Sequence, residues 1–129
     1  MNWLAIIVSA LAAMLIGFGW YSPWAFGKSW ASLTGRTMGG GEGTGALYAL
    51  IVVSAFVQAI AMNWFVERTG SNSGAAGALV GLFIGLGFIA PSMFGDVLFT
   101  GRPGRLFAIV AGYSTLSAIV MGAIIGFWP

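Results

Sequence analysis

Few side chains in this sequence could carry acid–base or nucleophilic chemistry. There are three carboxylates and five basic residues, and there is neither histidine nor cysteine. The carboxylates Glu42, Glu67 and Asp96 stand in short polar segments together with basic residues, outside the long apolar stretches. General acid–base catalysis, nucleophilic catalysis and thiolate metal binding therefore lack their usual groups within those stretches. We expect that the protein is not an enzyme and that it binds no metal ion or cofactor.

The polar side chains inside the apolar stretches are uncharged, so they can act only through hydrogen bonds. The main candidates are Gln58, Asn63, Tyr113, Ser114 and Ser117. Such groups seek partners within a membrane, and we expect them to face neighbouring helices rather than lipid. Two interpretations stay open: hydrogen bonds between helices, or the polar lining of a permeation or ligand site.

A second set of candidates lies where the apolar stretches end, and it combines aromatic, proline and charged residues. This candidate interfacial or ligand cluster comprises Trp20, Tyr21, Pro23, Lys28, Trp30, Pro91, Asp96, Arg102 and Arg105. Aromatic rings with a polar edge favour the headgroup region of a bilayer, which makes an interfacial belt the simpler interpretation. A ligand-binding aromatic pocket is the alternative.

The elements that position these residues follow from the distribution of charge. The sequence is 59% hydrophobic and 6% charged, which is unlike the composition of a soluble domain. Charge-free stretches cover residues 1–27, 43–66, 69–95 and 106–129. Each is long enough for the roughly 20 residues that cross a hydrocarbon core of about 30 Å. Because lipid offers the backbone no hydrogen bonds, each should be an α-helix.

We therefore predict an all-α integral membrane protein with four transmembrane helices. Their expected bounds are about 2–20, 44–66, 75–90 and 106–128, with the third helix ending at Pro91. Glycines at four-residue spacing predict faces of close helix packing. These packing residues are Gly17, Gly77, Gly81, Gly85, Gly122 and Gly126. Their spacing leaves open whether they pack within the bundle or between copies of the chain.

An internal repeat relates the two halves of the chain. Residues 16–28 and 84–96 share Ile16/Ile84, Gly17/Gly85, Gly19/Gly87, Pro23/Pro91, Phe26/Phe94 and Gly27/Gly95. We predict one membrane domain, 1–129, built as two parallel helix-hairpin repeats at about 1–66 and 69–129, with a pseudo-two-fold axis along the membrane normal. A Gly-rich linker at about 31–45 lengthens the first half. Lys28 and Asp96 then lie at equal depth. They either approach each other or the aromatic cluster of the opposite half, or are separately solvated.

The basic residues predict the orientation of the chain. The first and third loops hold Lys28, Arg36, Arg102 and Arg105, whereas the second loop holds Arg68 alone. The positive-inside rule then places those two loops in the cytoplasm and both termini outside it. Scattered over three loops, these residues form no basic face, and we expect no nucleic-acid partner. The lipid bilayer is the expected environment.

Three blocks of the sequence carry a resemblance to a known family: the opening MNWLA, WYSPWAFGKSW at residues 20–30, and FTGRPGRLFAIVAGYSTLSAIVMGAIIGFW at residues 99–128. Together they resemble the bacterial and fungal family of small four-helix membrane proteins filed as the domain of unknown function numbered seventeen sixty-one. The resemblance implies a multi-pass protein of the bacterial plasma (inner) membrane without an assigned activity. That family commonly has an acidic residue and a histidine where this chain has Val110 and Ser114, so no titratable role is expected at these positions.

A structural or accessory membrane component that self-associates or joins other membrane subunits is the function class that fits best, because it requires no residue that the chain lacks. A small transporter or channel subunit, moving or binding a small molecule between helices or protomers, is the alternative. The feature that separates these two classes is whether the polar residues of the second and fourth helices converge on a wet cavity or pair in a dry core.

Overall fold

The computed structural model describes residues 2–21, 32, 44–101 and 103–128, with the backbone alone at 44–48. The described helices are α1 (Trp3–Trp20), α2 (Thr44–Arg68), α3 (Gly74–Ile84), α4 (Ala90–Thr100) and α5 (Gly104–Phe127). A π-helical turn at Gly85–Ile89 joins α3 to α4. Most of the Gly-rich linker lies outside the described residues, as do Pro23, Lys28, Trp30 and Arg102.

In the part of the chain that the structure describes, four helical segments are long and apolar enough to cross a membrane. They are Trp3–Trp20, Ala49–Arg68, Gly74–Thr100 and Gly104–Phe127. Their outward surfaces carry large apolar side chains, and Phe18, Phe83 and Phe99 are each more than 70% exposed. An apolar surface of this extent suits a lipid environment. For the described residues, the prediction of an all-α protein with four such helices is confirmed.

Local sequence signals set the ends of several helices. The Asn2 side chain caps α1 by accepting a hydrogen bond of 3.2 Å from the Ala5 N–H, and Ser73 caps α3 in the same way at 3.1 Å from Ala76. Gly70 and Gly101 follow the ends of α2 and α4 with φ values of 67° and 71°. Glycine adopts this left-handed conformation without the steric cost that a Cβ imposes.

The third span does not end at Pro91, which corrects the predicted boundary. Proline donates no N–H, and in a regular α-helix its ring clashes with the carbonyl four residues earlier. Here the π-helical turn precedes it, since the Ala90 N–H donates to the Gly85 carbonyl, five residues back. Pro91 then lies in the first turn of α4, where an N–H is not needed. The helical segment therefore continues to Thr100.

The helix α5 is central, because it packs against α1 and α2 and also against α3 and α4 of the third span. The core between α1, α2 and α5 contains many small side chains with a few larger ones: Ala5, Ile6, Ala10, Ala13, Ala55, Ala59, Met62, Val66, Ala118, Met121 and Ile125. Although the turn from α2 to α3 is short, α3 packs mainly against α5 and only lightly against α2.

Glycines bring the backbones of α3 and α5 together. A methyl group on Gly77 would overlap the carbonyl oxygen of Gly122, and one on Gly81 would overlap that of Ala118. Gly126 lies against the backbone of the turn before α3, and a Cβ on Gly85 would lie 2.7 Å from Thr115 Cγ2. These glycines therefore pack within the bundle.

Candidate functional site

An aromatic cluster joins the end of α1 to the first half of α5. The Trp20 Nε1–H donates to the Ile109 carbonyl at 2.9 Å. The Tyr21 ring meets the Tyr113 ring edge-on, with 5.4 Å between the centroids. Trp20 and Tyr21 are half-buried in this contact. These two members of the predicted interfacial cluster therefore pack between helices.

Burial also affects the chemistry of Tyr21, which lies just beyond the end of the first span. Burial and, to a smaller extent, the neighbouring Tyr113 raise the pKa of the Tyr21 phenol to about 12. Tyr21 is therefore neutral at physiological pH. The contact between the two rings stabilises helix packing without involving an ionised phenolate.

A cavity of about 190 Å³ lies beside this cluster, between α1, α2 and α5. Its lining is Ala13, Met14, Ile51, Ser54, Ala55, Gln58, Tyr113 and Met121. The polar groups on this wall are one amide and two hydroxyls, and none of the lining side chains is charged. An apolar space with a few hydrogen-bonding groups suits a small uncharged molecule or part of one.

Two side chains of α2 form the polar edge of the cavity. The Gln58 Nε2–H donates to Ser54 Oγ at 3.2 Å, and both residues are exposed. Gln58 stands midway along the span from Ala49 to Arg68. We expected the amides to face the bundle, but Gln58 lies at the edge of the cavity with an exposed side chain. The amide is thus accessible at mid-depth.

Other polar side chains lie in the core. Asn63 and Ser117 are 2% and 3% exposed, and Ser9 is fully buried. Within the described part of the chain, Ser9 Oγ, Asn63 Oδ1 and Ser117 Oγ have no hydrogen-bond partner. Ser114 is half-buried on α5. Gln58 and Tyr113 thus lie on the cavity wall, whereas Asn63 and Ser117 are buried in the core.

The second half of the predicted interfacial cluster is spread over α4 and α5. Pro91, Asp96 and Arg105 are all exposed. The ring of Phe94 packs edge-on against that of Phe107 at 5.4 Å, which fixes α4 against the start of α5. Because Lys28 lies outside the described residues, its pairing with Asp96 stays a hypothesis.

Comparison with known proteins identifies the family. Residues 4–126 match the family described as Protein of unknown function (DUF1761). The chain belongs to this family. The match extends from α1 into the last turn of α5, so it includes all four membrane-spanning segments. Searches of curated proteins and of solved structures return no match. The resemblance noted in the sequence is confirmed.

Sequence reasoning about this DUF1761 protein missed two features of the site. Ser9 stands at four-residue spacing between Ala5 and Ala13, a pattern typical of close helix packing rather than of a polar role. The pairing of Ser54 with Gln58 was recognisable as four-residue spacing on one helix face. The exposure of Ser54 and Gln58 was not recognisable from the sequence, because it depends on how α2 is rotated about its own axis within the bundle.

Proposed function

We propose that this DUF1761 protein is a structural or accessory membrane component, not an enzyme, which self-associates or joins a larger membrane complex. The observation that carries the proposal is the exposed Gln58–Ser54 pair at the middle of a span. In lipid, an unsatisfied polar group costs several kcal/mol, so an amide at this depth favours contact with protein. A neighbouring membrane subunit supplies that contact.

The packing inside the bundle supports the same proposal. The backbones of α3 and α5 approach each other too closely at Gly77 and Gly122 for a channel to run between them. These glycine faces are also occupied within the chain and are unavailable to another subunit. The exposed polar face of α2 is then the better candidate for assembly.

Native mass spectrometry of the protein, extracted from its membrane in lipid nanodiscs, tests the proposal. We expect a complex larger than one chain, containing either further copies or other membrane subunits. A single chain at its native expression level would contradict an assembly function. Recombinant protein, produced at the same number of chains per membrane area, is the control. It shows whether association depends on the level of expression.

The cavity favours a second candidate function, the binding or movement of a small molecule. Its apolar wall and the hydroxyl and amide groups of Tyr113, Ser54 and Gln58 provide the features of such a site. An experimental structure in nanodiscs tests this candidate. Density for a bound molecule or a continuous column of water would favour it, whereas a cavity covered by a neighbouring protomer would favour assembly.

We further propose that the protein lies in the bacterial inner membrane with both termini outside the cytoplasm, and that its halves are parallel repeats. The arrangement of basic residues supports the orientation. A second, weaker match pairs residues 59–62 with residues 118–121. It supports the duplication, since Ala59 and Ala118 are both core residues, as are Met62 and Met121.

A further inference from the structure

We infer that the subunit which contacts α2 is a second copy of this chain. The inference rests on the proposed assembly function and identifies the partner subunit in that assembly. The contact surface is a face of α2 that we call the α2 seam, formed by Ile51, Ser54, Gln58, Ala61 and Phe65. All five residues are exposed. Their spacing of three and four residues in alternation is that of helices that pack side by side along a continuous seam.

The Gln58 side chain makes the seam complementary to itself. A carboxamide has two N–H donors and an acceptor oxygen, and one donor is bonded to Ser54 Oγ at 3.2 Å. Two copies inserted in the same direction are related by an axis along the membrane normal, which brings the same position of each α2 together. The oxygen of each Gln58 amide can then accept from the remaining N–H of the other.

The residues around Gln58 suit this contact. Ser54 and Ala61 stand about one turn to either side, and their small side chains allow the two backbones to approach. Ile51 and Phe65, which are 45% and 42% exposed, extend the seam with apolar surface. A polar pair within an otherwise apolar seam also fixes register, because any shift leaves the oxygen and the second N–H of each Gln58 amide without a partner across the seam.

A second copy would also cover the mouth of the cavity. Ile51, Ser54 and Gln58 belong both to the seam and to the cavity lining. The exposed surface of the third span differs from the seam, because it carries large apolar side chains such as Leu79, Phe83 and Phe88. Lipid solvates these side chains well. The α2 seam thus carries the Gln58 carboxamide, whose remaining hydrogen-bonding groups find no partner in lipid. A second copy supplies that partner.

Disulfide cross-linking in membranes tests the inference, since the chain has no native cysteine. We expect Ser54→Cys and Ala61→Cys to form disulfide-linked dimers on oxidation. Val53→Cys is the matched control, because Val53 is next to the seam in sequence, is 58% exposed and lies on another face of α2. It should cross-link poorly.

The variant Gln58→Leu tests the amide contact in the same assay. In the Ala61→Cys background it should weaken dimerisation by about tenfold, the scale of one or two interhelical hydrogen bonds in lipid. Gln58→Asn, which keeps a carboxamide, should retain more of the dimer. An unchanged cross-linking yield in Gln58→Leu would overturn the role of the amide.

The outcomes separate this inference from the proposed function. Cross-linking at Leu79→Cys or Phe83→Cys, but not along the seam, would overturn the inference and leave an assembly function intact. A seam cysteine that forms an adduct with another protein would also overturn the second copy as partner while supporting assembly. If every cysteine variant stayed monomeric and formed no adduct with another protein, both the inference and the proposed assembly function would be overturned.

Discussion

Tyr113 connects α5 to α1 through two contacts of different kinds. Its hydroxyl donates to the Ala13 carbonyl at 3.0 Å, and its ring packs edge-on against Tyr21. Gly17 provides the space for this ring, since a Cβ there would lie 3.0 Å from the Tyr113 oxygen. The same ring lines the cavity. One side chain therefore couples helix packing to the shape of the candidate site.

The substitution Tyr113→Phe should lower stability modestly. It removes the hydrogen bond to Ala13 but keeps the ring, and a typical intramolecular hydrogen bond contributes about 0.5–1.5 kcal/mol. Thermal unfolding in a defined detergent measures the change against Ser114→Ala, a half-buried neighbour on the same helix. Equal unfolding midpoints for the two variants would contradict a stabilising role for the Tyr113 hydroxyl.

Pairs of helices pack in two different ways in this molecule. The third span and α5 meet through glycine and backbone, whereas α1, α2 and α5 meet through alanine, methionine and isoleucine. Close backbone contact gives many van der Waals interactions in lipid, where the hydrophobic effect contributes little to helix association. The α3–α5 pair is therefore the element most sensitive to an added methyl group.

The substitution Gly81→Ala should destabilise the protein. A Cβ at this position overlaps the Ala118 carbonyl, and overpacking of this kind costs about 1–3 kcal/mol. Alanine gains up to about 1 kcal/mol in helix propensity, which offsets only part of that cost. Gly95→Ala is the matched control, because a Cβ on Gly95 meets nothing within 4 Å.

Unfolding midpoints of the two variants test this comparison directly. Gly81→Ala should unfold at a lower temperature than the wild type, and Gly95→Ala should be unchanged or slightly more stable. A gain of stability in both variants would contradict a close backbone contact between α3 and α5.

The number of helices and the glycine faces could be read from the sequence, whereas the inner face of α2 could not. Long charge-free stretches must be helical in lipid because their backbone groups have no other partners. A helix that is apolar on all sides, however, has no amphipathic pattern to mark its inner face. The exposure of Gln58 and the burial of Asn63 on the same α2 therefore needed the structure. The continuation of the third span past Pro91 also needed the structure, because it depends on the π-helical turn before that residue.

At the scale of the whole molecule, the ends of the four spans define two sides of a membrane. The end of α1, the end of α4 and the start of α5 lie on one side, and the α2–α3 turn lies on the other. The basic residues predict that the first side is cytoplasmic. The exposed residues Asn72 and Thr100 report on the two sides.

Single-cysteine labelling tests this orientation, since the wild-type background contains no cysteine. In intact spheroplasts, a membrane-impermeant maleimide should label Asn72→Cys. It should label Thr100→Cys only after permeabilisation. The opposite pattern would invert the proposed topology.

Two copies of this chain are proposed to meet along α2 at the level of Gln58. The most direct measurement is the distance between spin labels on Asn72→Cys in lipid bilayers, determined by double electron–electron resonance, because Asn72 is exposed in the turn after α2 and lies outside the seam. Helices in contact lie about 8–10 Å apart, so we expect a single short intermolecular distance that Gln58→Leu weakens or abolishes. The absence of any intermolecular dipolar signal in the otherwise wild-type protein would contradict the claim.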